Sequence, residues 1–290
     1  MSGIQFLKSD LSLALPRLGL ASLFLCLISG LILLFQYHPA GNVFQNVEEI
    51  TTLIPYGWFF RQLHYGSGQV FVIIMLLHTM DHFLKKRYRT YSFSQWFLLI
   101  VSLFLCFFTL FTGFILKGDK EGLFAGYILL NILREIPMIG DILSGLFIRT
   151  GESSMLLPYL YHCFFLPLLI IFLLRDHIRL WFPSDRFVFL ATIGLFLYAL
   201  LFGPGIDIPP EADVKDIKGP WFFLGIQNLL RIIPSLWAGL VIPALLMGML
   251  FIMPLLKGKV TVIIHYMLVF SGTLYAAFMV IEYLRDSLFQ

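Results

Sequence analysis

Four histidines carry the first chemical signal. His64 and His78 stand fourteen residues apart, and His162 and His177 fifteen apart, each pair inside a largely apolar run. On helices with ~1.5 Å rise per residue these spacings correspond to roughly 21 and 22 Å along the axis. At ~100° per residue the members of a pair lie about 40° and 60° apart around the axis, so each pair presents itself to one side. If the two helices face each other, His64 meets His162 near one end and His78 meets His177 near the other. Paired imidazoles are transition-metal ligands. Two such planes roughly 20 Å apart suit two iron centres. The iron carrier suited to an apolar bundle is haem, with its greasy macrocycle and an iron that takes axial histidine. A single intramembrane histidine is commonly a helix–helix hydrogen bond or a proton relay; two pairs at matched separation are what points to metal. His38, His82 and His265 lack such pairing and read as interfacial or loop histidines. His82, one turn beyond His78, is a rival for the inner site.

The elements that must hold these residues are membrane helices. The chain has 290 residues, of which 59% are hydrophobic and 13% charged, with 31 Phe; soluble domains are roughly 45–50% apolar and about 25% charged. The apolar runs are about twenty residues long, enough to cross the hydrocarbon core as helices, whereas barrel strands alternate weakly over about ten. The reading is an all-α, polytopic transmembrane bundle of seven spans. They are A (about Leu15–Tyr37), B (Leu63–Leu84), C (Trp96–Leu116), D (Pro158–Trp181), E (Phe187–Phe202), F (Trp237–Leu256) and G (Val260–Leu284). A to D form a four-helix dihaem core in a domain over 1–186, and E to G a three-helix domain over 187–290. Pro167 inside D can bend or locally rewind it and so absorb the extra residue of its histidine spacing. The run that opens A is too long for a signal-peptide core and lacks a small-residue cleavage site.

Charge sets the orientation. Basic residues collect before A (Lys8, Arg17), after B (Lys85, Lys86, Arg87, Arg89), after D (Arg179, Arg186) and after F (Lys257, Lys259). With seven spans all four places fall on one face, expected to be cytoplasmic, which puts the N-terminus inside, the C-terminus outside and the chain in the inner (cytoplasmic) membrane. The other face carries the loop Asn42–Tyr56, the long loop Lys117–Leu157 and the acidic loop Gly203–Ser235; loops of that length suggest function. Asn131–Pro137 reads as a short amphipathic surface helix, and Pro209 through Pro220 as a rigid connector. Cys26, Cys106 and Cys163 lie in apolar runs and form no CxxC or CxxCH, which excludes zinc, iron–sulfur and covalent c-type haem motifs. The net charge of +3 gives no basis for a nucleic-acid partner.

Longer stretches match a family. GWFFRQLH before the first histidine, the pair on B, GYILLNILREIPMIG after C, YHCFFLPLLIIFLLRDH on D and IKGPWFFLGIQNLLRIIP further on resemble cytochrome b of the quinol-oxidising bc-type complexes. The likeness is greatest to the b6 plus subunit IV form, here as one fused chain. The resemblance implies two bis-histidine haem b groups. His64 and His162 would hold the outer, low-potential one, and His78 and His177 the inner, high-potential one. It places Arg61 beside the outer haem propionates, a charge-assisted pairing, and Gly30 and Gly113 where a haem approaches the backbone, as only a residue without Cβ allows; close helix packing is the other role for such glycines. Quinone or quinol is then the substrate, a Rieske iron–sulfur protein or c-type cytochrome the partner, and a homodimer within a complex the expected assembly.

Several residues depart from the family. Its Pro-Glu-Trp-Tyr motif reads Gly219-Pro220-Trp221-Phe222 here, so the glutamate thought to take a quinol proton is missing. Glu135 is the nearest replacement as outer-site proton acceptor, although a solvated loop carboxylate has the same signature. Lys117-Gly118-Asp119 stands for Pro-Trp-Gly. Pro16 and Leu99 occupy two glycine places, and Asp81 that of an arginine which Lys85, Lys86 or Arg179 would replace. Ala14 stands where b6 has the cysteine that tethers an extra haem. The functional reading is a membrane dihaem electron carrier between quinol or quinone and a redox partner in a respiratory bc-like complex. A quinone oxidoreductase subunit with a non-Rieske partner, such as a multihaem c cytochrome or a molybdoenzyme module, is the near alternative. A transporter with a histidine proton relay is the alternative of another class.

Overall fold

The computed structural model describes residues 3–148, 154–214 and 217–288; the side chain of Lys8 and loop residues 149–153 and 215–216 lie outside the described residues. Every regular element within them is helical. In a chain this apolar the backbone must satisfy its hydrogen bonds locally, and helices do so within one segment. Six helical stretches are long and apolar enough to cross a bilayer: Ala14–Leu34, Gly57–Leu84, Phe93–Ile115, Leu156–Leu180, Trp237–Leu255 and Gly258–Arg285.

The first three belong to α1 (Gly3–Leu34), α3 (Gly57–Leu84) and α4 (Phe93–Ile115), the last of which opens on a capping box at Ser92 and Gln95. The fourth is α7 (Leu156–Leu160) and α8 (Leu166–Leu180), joined by a π turn over Tyr161–Phe165. Pro167 causes the turn: it has no N–H for the carbonyl four residues back, and its ring crowds that carbonyl. The turn holds one extra residue, so the fifteen-residue spacing of His162 and His177 acquires the phase of the fourteen-residue spacing on α3. The same device recurs at Trp237–Val241 ahead of Pro243, where α11 (Ile242–Ile252) begins.

Apolar residues from four helices meet between the two histidine levels. Leu20 and Leu23 of α1, Phe71 and Val72 of α3, Cys106 of α4, and Ile170 and Leu174 of α8 form one buried cluster.

Expected span E is α9 (Asp185–Leu201), with 17 residues. That is roughly 26 Å of helix against a core of about 30 Å, and the count of spans established by length is six rather than seven. The α9 helix packs along part of α1 and of α3. Near its start the Arg17 guanidinium lies over the rings of Trp181 and Phe187. Just past its end Gln62 Nε2 donates to the Phe202 carbonyl at 3.4 Å.

Two surface segments differ from expectation. The loop Asn42–Tyr56 contains a helix, α2 (Val43–Thr52), whose first turn is capped by the Asn42 side chain and which buries Val43, Val47 and Ile50. The surface helix expected at Asn131–Pro137 is the end of a longer one, α5 (Lys120–Arg134), started by Asp119 accepting from the Gly122 N–H; α6 (Gly140–Phe147) follows. Both caps are Asx signals that the apolar pattern obscures. At the C-terminal end α10 (Leu224–Leu230), after a 3₁₀ turn over Trp221–Phe223, packs on α12 (Gly258–Leu288).

Candidate functional site

The helices bring both expected histidine pairs together. The rings of His64 on α3 and His162 on the π turn have centroids 5.9 Å apart at 85°. Those of His78 on α3 and His177 on α8 are also 5.9 Å apart, at 65°. Metal–imidazole bonds of about 2 Å on each side put two ring centroids roughly 6 Å apart, so both pairs have the span of a bis-histidine metal site.

The outer pair is oriented from behind. His64 Nδ1 lies 2.9 Å from the Cys26 carbonyl on α1, with the Cys26 thiol at 3.6 Å. His162 Nδ1 lies 2.9 Å from the Thr109 carbonyl on α4, with the Thr112 hydroxyl at 3.4 Å. An Nδ1–H given to a carbonyl leaves Nε2 free to ligate and fixes the ring plane. Gly30 and Gly113 complete the arrangement. A Cβ on Gly30 would come within 2.7 Å of His64 Cε1, and one on Gly113 within 2.5 Å of His162 Cε1. These glycines make room for the imidazoles themselves.

The inner pair is held differently. Among the described residues neither His78 nor His177 has a hydrogen bond from its ring to a protein group. His82 packs its ring 4.3 Å from that of His78 and binds the His78 carbonyl through Nδ1 at 3.0 Å, so it buttresses the pair while His177 faces His78. Lys85 pairs with Asp81 at 2.6 Å, and Lys86 lies over the Tyr266 ring. His265, expected at an interface or in a loop, is buried on α12 with Nδ1 3.2 Å from the Tyr88 hydroxyl. His38 does lie in the outer loop, 3.3 Å from Asn46.

Arg61, expected near propionates, bonds Asp207 of the 203–214 stretch and Thr51 Oγ1, the latter at 2.8 Å. Asp207 also pairs with Lys117 at 3.2 Å, and Lys117 with the fully buried Asp119 at 2.6 Å and with Glu121 at 3.4 Å. Burial works against the Lys117 charge, but Asp119, Asp207 and Glu121 outweigh it and hold its ammonium above the usual lysine range. Burial also pushes the Glu121 carboxyl up, with Asp119 and Asp207 adding to burial and Lys117 opposing it. Lys120 completes a clasp on the same stretch through its N–H to the Ile208 carbonyl at 2.8 Å and its Nζ to the Ala212 carbonyl.

Beside the outer pair is a narrow apolar crevice lined by Phe108, Phe111, Thr112 and Ile115 of α4, Leu129 of α5, Phe147 and Ile148, Pro158 and Tyr161. The Thr112 and Tyr161 hydroxyls donate to the Thr109 and Leu146 carbonyls, at 2.9 and 2.7 Å, and the lining has no carboxylate. Glu135 is not in it. Six residues past Leu129, Glu135 lies roughly 9 Å further along the helix axis, where its carboxylate accepts from the Ser235 hydroxyl and, at 2.9 Å, from the Leu236 N–H. Glu135 caps the helix leading into α11, beside a separate open cleft that also touches Asn131 and Leu230. The Gly219–Phe222 segment reaches the bundle through Trp221, whose Nε1 donates to Gln69 Oε1 on α3 at 2.7 Å. The Cys26 and Thr109 carbonyls, Gln69 and Asp207 went unread in the sequence; backbone acceptors carry no residue-type signal, and the other two are long-range partners.

Residues 13–181 match the family described as cytochrome b/b6/petB, and residues 210–285 the one described as cytochrome b (C-terminal)/b6/petD. Cytochrome b of Eptatretus burgeri is 26% identical over 269 residues, 79% of this chain and 68% of that protein. Cytochrome b6 of Cyanidium caldarium is 29% identical over 156 residues, 52% of this chain and 72% of that protein. Among solved structures, a chain of a hyperthermophilic respiratory complex III superposes with a TM-score of 0.70 at 19% identity, covering 93% of this chain and 83% of that one. That likeness is one of fold.

Proposed function

This chain belongs to the cytochrome b/b6 family and is a multi-pass membrane protein, and from that premise we propose that it is the dihaem subunit of a quinol-oxidising respiratory complex of the bc type. The observation that carries the proposal is the pair of facing imidazole couples, each at 5.9 Å, held by helices whose phases a π turn brings into register. His64 and His162 would hold the outer haem b and His78 and His177 the inner one. Haem, when bound, supplies the one-electron chemistry. The chain supplies the rest. Cys26 and Thr109 orient the outer ligands, Gly30 and Gly113 clear space for them, and the apolar cluster between the two levels keeps water out. The helices A to D of the sequence reading form the dihaem core, with 187–290 as the C-terminal domain. The α9 helix is the seventh crossing, since its two ends meet opposite ends of α1 and α3; the N-terminus is then cytoplasmic, the C-terminus external and the membrane the inner one.

On this reading the quinol enters beside Phe108, Phe111 and Tyr161, where the crevice as it stands is too narrow for a ring and has to open. Quinol oxidation releases two protons, and the lining has no carboxylate base. That observation favours a second version of the same reading, in which the electron acceptor at the outer face is a c-type cytochrome or another non-Rieske module. Electron paramagnetic resonance of the complex purified gently from native membranes tests both. Two low-spin bis-histidine signals are expected, and their absence refutes the dihaem reading in favour of a histidine-relay transporter. A Rieske signal in a stoichiometric complex selects the first version, and its absence from a complex that retains c-type haem selects the second.

A further inference from the structure

The segment that replaces the family's carboxylate motif packs behind the Phe111 and Ile115 side of the outer crevice, and α12 holds it. Phe223 has its ring centroid 4.9 Å from that of Phe111, and Phe222 is buried in one cluster with Phe111 and Ile115; both of the latter line the crevice. The segment carrying Phe222 and Phe223 has only a 3₁₀ turn and the seven-residue α10 of its own. The Tyr275 hydroxyl donates to the Phe222 carbonyl at 2.5 Å, and Gly225 lies so close to the Tyr275 ring that a Cβ would come within 2.5 Å of it. Two turns along α12, on the same face, Glu282 is 1% exposed. Its carboxylate accepts from Arg231 Nε at 3.2 Å, Arg231 Nη2 at 2.9 Å and Asn228 Nδ2 at 3.3 Å. Lys218, before the turn, donates to the Tyr283 carbonyl at 3.0 Å.

A buried carboxylate is costly unless paired and hydrogen-bonded, and one that is satisfied fixes a single arrangement of its partners. Tyr275 holds the backbone at Phe222, and Glu282 holds the far end of α10, so Phe222 and Phe223 are clamped from both sides against Phe111 and Ile115. We propose that Tyr275 and Glu282 are positioning residues of the outer quinone site, acting through the 217–231 segment and the Phe111 and Ile115 side chains it backs to set the shape of the crevice. The proposal rests on the quinone reading above. It gives the C-terminal helix a task in substrate binding although neither residue touches the crevice.

The test uses the complex purified from native membranes, with Tyr275→Phe and Glu282→Gln. Tyr275→Phe keeps the ring against Gly225 and removes one hydrogen bond, so it folds even if the second variant does not. Two readouts are taken: hydrogen exchange of amides 221–231, and KM against kcat for decylubiquinol or its naphthoquinol counterpart. Faster exchange confined to that segment is expected, with KM raised roughly five- to tenfold and kcat within about twofold, and both haem signals unchanged. Unchanged exchange and KM in both variants overturn the proposal. Faster exchange with unchanged KM also overturns it, since the segment then shapes no site. A wild-type complex with two haem signals but no saturable quinol dependence overturns the quinone reading and this role with it; the exchange data tell that failure apart from a failure of the α12 contacts.

Discussion

Alanine at Gly30 or Gly113 should remove the outer haem and spare the inner one. The added Cβ must move the imidazole from 2.7 Å at Gly30, or 2.5 Å at Gly113, out to the 3.4 Å where ordinary contact begins. That is a ring shift of somewhat under an ångström, and misplacement on that scale costs up to about a hundredfold where geometry is tight. The shift also strains the 2.9 Å bond to the Cys26 or Thr109 carbonyl, whose loss costs about 1 kcal/mol and on the order of ten- to a hundredfold in metal affinity. Helix propensity pushes the other way, since alanine in a helix interior is favoured over glycine by about 1 kcal/mol. The control is Gly272→Ala on α12, where nothing lies within 4 Å of the added Cβ; it should be neutral or slightly stabilising. Haem-to-protein ratio and the reduced-minus-oxidised spectrum read the result. A ratio falling from two toward one in both variants, with the inner signal intact, is expected. Both haems retained at wild-type potential in Gly30→Ala and Gly113→Ala would refute the placement of the outer imidazoles.

The remaining expectations are shorter. His82→Gln should retain both low-spin signals, because His177 faces His78 and His82 only buttresses it; loss of the inner haem in this variant alone would make His82 the ligand. Trp221→Phe leaves the Gln69 amide without its 2.7 Å partner and should lower stability in detergent by about 1–3 kcal/mol. The double change with Gln69→Leu should recover part of that loss, and additive losses would show that the two side chains do not meet. Glu121 has its carboxyl raised from 4.5, chiefly by burial. A carboxyl raised on folding favours the folded state below its unfolded value and weakens it as pH climbs through the folded value. Glu121→Gln should therefore raise the melting temperature relative to wild type at pH 7, the difference vanishing below about pH 4.5; equal differences at both pH values would exclude the burial effect.

What the sequence made legible was what periodicity and residue type encode. The four histidines and the helices that hold them follow from apolar length and from spacing, and Pro167 announced the irregularity that reconciles fifteen residues with fourteen. The missed features share a physical reason. Asn42 and Asp119 start α2 and α5 through capping bonds of a few residues' reach, which a search for twenty-residue apolar runs passes over. The partners of the Glu135 carboxylate, Ser235 and Leu236, lie a hundred residues away in sequence. The Arg61 bond to Asp207 spans 146 residues. Long-range polar pairing depends on how loops fold back, and one sequence carries no signal for it.

The departures from the family gain a common meaning once those pairings are seen. The change at Lys117-Gly118-Asp119 supplies the lysine that engages Asp207 and Glu121 and the buried carboxylate that pairs with that lysine, while Lys120 beside it fixes Ile208 and Ala212. The change at Gly219-Pro220-Trp221-Phe222 removes a carboxylate and leaves apolar side chains that pack on Phe111 and Ile115, in a segment that Tyr275 and Glu282 hold. The stretch from Asp207 to Arg231 is thus anchored at both ends, by ion pairs toward α4 and α5 and by an ion pair and hydrogen bonds toward α12. Anchoring of that extent preserves a rigid surface for a flat apolar ring, and it does so without a base in the lining. On the quinone reading, a site built this way keeps binding geometry and gives up direct proton transfer to a side chain. Its turnover would then depend on how fast protons leave through water, and it would be steeper in pH than that of a relative with a carboxylate in place.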